Sequence, residues 1–94
     1  MLNIFHDKII LTKQFLRDLE QLKRNGDKIS VNKIARLLAE LEEHPKVGTG
    51  KPEPLKHNLS GLWSRRINKY DRLIYQINDD KVIVEVLTAK GHYE

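Results

Sequence analysis

The sequence predicts an α+β domain: two N-terminal amphipathic helices packed on one face of a small antiparallel sheet built from the second half of the chain. Three observations carry this. Apolar residues recur every three or four positions between residues 13 and 41, which is the period of a helix with one buried face. After residue 61, β-branched and aromatic residues come in short runs that read as strands. The links between those runs are too short for anything but antiparallel pairing.

Each element has its own justification. Residues 1–7, where His6 and Asp7 interrupt an apolar start, read as an N-terminal extension: a short strand through Leu2, Ile4 and Phe5, an ordered arm, or a leader. Residues 8–11 form a strand, and Thr12 then caps a helix whose apolar stripe is Phe15, Leu16, Leu19 and Leu22. Lys13, Arg17, Asp18, Glu20 and Lys23 fall on its solvent side, and Asn25-Gly26 supplies a left-handed stop. Ser30 is expected to cap a second helix, with Val31, Ile34, Leu37, Leu38 and Leu41 as its buried stripe and Pro45 forbidding its continuation. A helix-turn-helix reading of this pair is disfavoured. The second helix offers only Lys33 and Arg36 as cations and ends in Glu40, Glu42 and Glu43, which would face phosphate badly.

Residues 47–54 form a loop, punctuated by Gly48, Gly50, Pro52 and Pro54. Three strands are expected after it, over residues 62–68, 72–78 and 81–87, with Asn78-Asp79-Asp80 as a tight turn. Alternation assigns Leu73, Tyr75 and Ile77 to the core face and Arg72, Ile74 and Gln76 to the other. A three-residue link over residues 69–71 sets Asn68 opposite Arg72. Arg66 and Arg72 then become diagonal neighbours able to grip one phosphate, and Arg65 shares the core face with Trp63 and Ile67, its stem packed and its head snorkelling or stacked.

Composition narrows the function classes. Ninety-four residues make a single domain spanning 1–94, and 39% hydrophobic with 32% charged residues fits a soluble globular chain. The absence of cysteine removes disulfides and thiolate metal sites, and His6, His44, His57 and His92 lack metal-ligand spacing, so no cofactor is expected. No apolar run approaches a membrane span and there is no signal-peptide core, which places the chain in the cytoplasm.

The net charge of +4 is concentrated between Lys51 and Arg72, which holds six of the 17 Lys and Arg residues against Glu53 and Asp71, while the remainder is neutral. A compact cationic segment points to a polyanion, and nucleic acid is the first candidate. Glu53, held between Pro52 and Pro54, is the odd feature, since a carboxylate weakens phosphate binding unless it does something else; a general base beside a phosphate is one such task, and a plain surface turn acid is the alternative. The chain closes on residues 88–94, where His92 and Tyr93 place an imidazole beside an aromatic ring. Terminal residues often fray and do nothing, which is the plain alternative for this tail.

The run GKPEPLKHNLSGLWSRRINKYDRLIY and the closing KGHY resemble the YoeB/Txe toxins of the RelE-like superfamily, from bacterial type II toxin-antitoxin systems. The likeness is dense from residue 50 to 75 and returns at residues 90–93; in the helical half it rests on the order of elements. It implies a microbial-RNase-like fold and a metal-independent endoribonuclease that cuts messenger RNA in the ribosomal A site, held silent by an antitoxin. In that scheme Glu53 is the general base, Arg66 and Arg72 hold the scissile phosphate, His92 is the general acid and Tyr93 positions RNA. Lys51, Lys56, His57, Arg65 and Lys69 are expected along the RNA backbone. The antitoxin should bring an acidic, partly disordered segment, and a homodimer fits the small size. Glu94 departs from the family pattern, which closes on the tyrosine, and the chain starts earlier than its relatives. Two other functions stay open: a ParE-like inhibitor of DNA gyrase on the same fold, which would not need the Glu53, Arg72 and His92 set, and a plain RNA- or DNA-binding module without turnover, which would explain the basic segment.

Overall fold

In the computed structural model, which describes residues 3–5, 9–57, 60–78 and 83–89, helix α1 (Lys13–Arg24) begins where Thr12 accepts a hydrogen bond from the Phe15 N–H at 3.1 Å. Phe15 and Leu22 are buried and Leu16 and Leu19 lean on the same core. Lys23 and Arg24 complement the negative end of the helix, and Gly26, at φ 73°, turns the chain out of it.

Helix α2 (Lys28–Leu41) starts earlier than the sequence suggests: Asp27, not Ser30, is the cap, accepting from the Ser30 N–H at 3.1 Å. Both residue types cap well. Ser30 is instead buried inside the first turn, where its hydroxyl accepts a hydrogen bond from Asn68 Nδ2 at 2.8 Å. Ile34, Leu37, Leu38 and Leu41 are buried as the period predicts, so the apolar stripe is committed to the core.

The described strands are β1 (Asn3–Phe5), β2 (Ile9–Leu11), β3 (Glu53–Pro54), β4 (Leu62–Arg66), β5 (Arg72–Asn78) and β6 (Ile83–Thr88), in the order β1-β2-β6-β5-β4-β3. The α+β class and the antiparallel β4–β5–β6 meander hold. The N-terminal segment extends that sheet: β2 pairs with β6 in parallel, Ile9 opposite Val84, and β1 folds back on β2. Ile9, Leu73, Tyr75 and Val86, all fully buried, form one wall of the core, with the helix residues as the other. The expected turn over residues 78–80 falls largely outside the described residues.

Three expectations change, two on the sheet and one on α1. Strand β4 ends at Arg66, so its link to β5 is five residues long and Arg66 lies directly opposite Arg72 rather than diagonal to it. Ile74, assigned to the non-core face, points away from Leu73 and Tyr75 but is fully buried, lying opposite Ser64 of β4 where the register with β6 shifts. Alternation gives direction, and burial depends on what surrounds the position. Asp18, assigned to solvent, is buried and accepts hydrogen bonds from the Ala89 N–H at 3.0 Å and the Thr88 hydroxyl, tying α1 to the end of β6.

Candidate active site

Residues directly opposite each other on paired strands share a face. Glu53 is opposite Ser64, Ser64 opposite Ile74, and Arg66 opposite Arg72, so the face turned away from the helices carries Glu53 and both arginines in adjoining rows. Arg72 Nη1 lies 3.5 Å from Glu53 Oε1, with 30% of the Arg72 side chain and 60% of the Glu53 side chain exposed. An ion pair this open is worth less than about 1 kcal/mol. Both groups therefore remain available to a ligand that offers each a better partner.

Backbone geometry fixes the loop that delivers Glu53. The Arg66 N–H donates to the Gly50 carbonyl at 2.7 Å, drawing residue 50 against β4. Gly50 adopts φ 84°, and a Cβ there would lie 2.9 Å from the Arg66 carbonyl oxygen, so only glycine fits. Lys51 follows at φ 52°, and the Leu55 N–H closes the far end of β3 on the Leu62 carbonyl at 2.8 Å. Lys51, Lys56 and His57 are exposed on the segments flanking β3, with His57 also left-handed at φ 60°. Two non-glycine residues in that region, one on each side of Glu53, store strain beside the site.

Arg65 does not belong to the RNA-facing surface expected of it. It is fully buried, and its guanidinium is used up within the fold: Nη1 reaches Glu40 at 3.0 Å and the Thr49 carbonyl at 3.4 Å, and Nη2 reaches the carbonyls of His44 and Val47. Its Nε donates to the Tyr75 hydroxyl at 3.2 Å, which itself donates to the Pro45 carbonyl at 2.8 Å. Sequence reading placed its stem correctly on the core face but missed the destination of the head. The signal was available, because a cation on the core face demands an acid on the element packed over it, and Glu40 is that acid.

Thr49 completes this strap, donating to Glu40 from both its N–H at 2.8 Å and its hydroxyl. The Thr49 hydroxyl, its backbone N–H and the Arg65 guanidinium together hold the Glu40 carboxyl below its ordinary range, against the burial that pushes the other way. Burial pushes the Tyr75 phenol up, with Arg65 opposing. The segment leading to Glu53 is thus pinned to the core by residue 65, while residue 66 faces the opposite side.

Lys69 lies beside the arginine pair, in a depression of about 200 Å³ lined by Arg66, Asn68, Lys69, Tyr70 and Arg72. His92 and Tyr93 lie outside the described residues. Among the sequence-predicted groups, then, the fold brings together Glu53, Arg66, Arg72 and Lys69 and separates Arg65 from them.

Comparison with known proteins decides the family. The model of the "YoeB-like toxin of bacterial type II toxin-antitoxin system" matches residues 11–93. The chain belongs to the YoeB-like toxins. It is 52% identical to Toxin YoeB of Escherichia coli strain K12 over 67 residues, covering 71% of this chain and 77% of that one. A structure titled YoeB/ParE toxin from Agrobacterium tumefaciens superposes with a TM-score of 0.82 at 36% identity, over 92% of this chain and 99% of that one. The Staphylococcus aureus YoeB, solved as a dimer, has a TM-score of 0.78 at 38% identity, and in its YoeB-YefM complex 0.75 at 37%, each over 92% of this chain and 97% of that one. Among the described residues of this YoeB-like toxin, no helix is long and apolar enough to cross a membrane.

Proposed function

We propose that this YoeB-like toxin is a ribosome-dependent endoribonuclease that cleaves messenger RNA in the A site by acid–base chemistry without a metal. The observation that carries the reading is the grouping of one accessible carboxylate with two guanidinium groups: Glu53 at 3.5 Å from Arg72, and Arg66 directly opposite Arg72 on the same face. Cleavage through the 2'-OH needs a base for that hydroxyl, cations for charge developing on the phosphoryl oxygens, and an acid for the leaving oxygen.

Glu53 takes the 2'-OH proton, the 2'-oxygen forms its bond to phosphorus, and the P–O5' bond breaks. The products are a 2',3'-cyclic phosphate, or the 3'-phosphate from its opening, and a 5'-OH. Arg66 and Arg72 neutralise the phosphoryl oxygens. His92, by family resemblance, gives its proton to the departing 5'-oxygen, and Tyr93 positions the RNA. Lys51, Lys56, His57 and Lys69 contact the RNA backbone. The silencing partner is a YefM-like antitoxin bringing an acidic segment that folds over the cationic face. The toxin works in the cytoplasm, where it also pairs as a homodimer.

The test is to add purified chain to a translation reaction and map the 5' ends of the message. Codon-dependent cuts bearing a 5'-OH are expected, unchanged by EDTA, and lost by about 10²- to 10⁴-fold in Glu53→Gln. Cuts bearing a 5'-phosphate, or full activity in Glu53→Gln, would exclude the mechanism. The Agrobacterium relative carries a double YoeB/ParE designation, so gyrase supercoiling is the control. It should be unaffected.

A further inference from the structure

We propose that Tyr70 is the floor of a base-stacking subsite that takes a nucleobase of single-stranded RNA next to the phosphate held by Arg66 and Arg72. The inference rests on the nucleic-acid reading above and adds a site to it. Tyr70 keeps 70% of its surface in solvent, whereas Phe15 and Tyr75 are fully buried and Trp63 packs against the core. Among the described side chains it is the aromatic ring left to the outside.

The ring does not hang on a loose loop. Asn68 Oδ1 accepts hydrogen bonds from the Tyr70 N–H at 2.8 Å and the Asp71 N–H at 2.7 Å, and Asn68 Nδ2 reaches Ser30 on α2 and the Asp71 carboxylate. The Ile67 N–H closes the turn on the Asp71 carbonyl at 3.0 Å. The turn is tied to itself and to a buried helix residue, yet it presents a large exposed ring where turns ordinarily carry small polar residues. A ring carried on a braced backbone has only its own side-chain rotations to lose when something stacks on it.

Its position selects the ligand. Tyr70 lines the same depression as Arg66, Asn68, Lys69 and Arg72, and the Lys69 ammonium sits 5.9 Å from the ring centroid. A phosphate between the arginines leaves the adjoining nucleotide over this depression. At about 200 Å³ the space is below the roughly 300–1,000 Å³ of sites that enclose a free small molecule, so it suits one flat piece of a polymer anchored beside it. An aromatic face flanked by cations is how single strands are held irrespective of sequence.

The experiment titrates the full chain, wild type, Tyr70→Phe and Tyr70→Ala, with a fully 2'-O-methylated RNA tetramer that cannot be cleaved. The same tetramer with single abasic positions and inorganic pyrophosphate are titrated in parallel. Tyr70→Ala should bind the tetramer about tenfold more weakly, the effect of losing one stacked base, with pyrophosphate affinity unchanged and Tyr70→Phe behaving as wild type. One abasic position should reproduce the loss and add nothing to Tyr70→Ala. Equal tetramer affinity for wild type and Tyr70→Ala, no tetramer binding by the wild type, or parallel loss of pyrophosphate binding would each overturn the proposal. Tyr70-dependent binding without message cleavage would sink the nuclease reading alone, and cleavage with Tyr70→Ala binding normally would sink this inference alone.

Discussion

Arg66 and Arg72 face each other across the end of the β4–β5 pair, two like charges in direct opposition. Such a pair opposes folding by roughly 0.2–1 kcal/mol. Glu53 reaches Arg72 at 3.5 Å but is too exposed to offset much of that. A fold would not retain this arrangement for its own sake, which makes the pair informative about function. Arg66→Gln is therefore expected to unfold at the same or slightly higher temperature than the wild type while losing message cleavage by at least about 10²-fold. A variant that lost stability together with activity would show that Arg66 is structural.

Replacing Glu40 tests the strap. Its carboxyl is held below the ordinary 4.5, chiefly by the Thr49 hydroxyl and then by the Thr49 N–H and Arg65. A carboxyl more acidic in the folded than in the unfolded chain contributes its full stability above the ordinary value and loses it as pH falls through the folded one. Glu40→Gln should cost about 1–2 kcal/mol at neutral pH, because the Glu40 side chain is 26% exposed and Arg65 keeps its carbonyl partners. Denaturant melts of both proteins should begin to converge below pH 4.5 and meet as pH falls through the lower folded value. A gap that persisted there unchanged would mean the carboxylate charge is not what holds the strap.

Gly50→Ala should cost more than a methyl group suggests. The left-handed backbone alone penalises a side chain by about 1–2 kcal/mol, and here the new Cβ meets the Arg66 carbonyl at 2.9 Å. The segment must lift from β4, moving Glu53 relative to Arg72. Lower denaturant midpoint with weaker cleavage is expected, and a midpoint within experimental error of wild type would refute the close approach.

Asp18→Ala removes the acceptor of the Ala89 N–H and the Thr88 hydroxyl. Leaving a buried amide unpaired costs about 1–3 kcal/mol. The anchor lies three residues before His92, so Asp18→Ala should also speed hydrogen exchange at the Ala89 amide and depress cleavage. Unchanged exchange at residue 89 would sever the helix from the tail in this account.

Much of this was legible in the sequence because it depended on local rules. Thr12, Asn25-Gly26 and the helical stripes obey spacing and capping, which tertiary context seldom overturns when they agree. The Pro-flanked Glu53 and the basic segment were visible as composition. What sequence could not supply was non-local. The cap moved to Asp27 because Ser30 answers to Asn68, 38 residues away. Arg65 is the exception, since its place on the core face already called for an acid on the helix packed over it, and Glu40 is that acid. The β4–β5 register was off by the length of one link, and that slip turned a diagonal arginine pair into a direct one. Tyr70 passed unremarked because an aromatic in a turn signals nothing until its surroundings are known.

The parallel union of β2 with β6, Ile9 against Val84, has a bearing on synthesis. The partner of the strand at residues 9–11 lies about 75 residues further along the chain, and contacts so distant are among the slowest to form. While the nascent chain still lacks residues 83–89, its central core strand is missing and α1 has nothing to grip through Asp18. The sheet is therefore closed only once residues 83–89 have emerged, and helix α1 waits on them for its anchor.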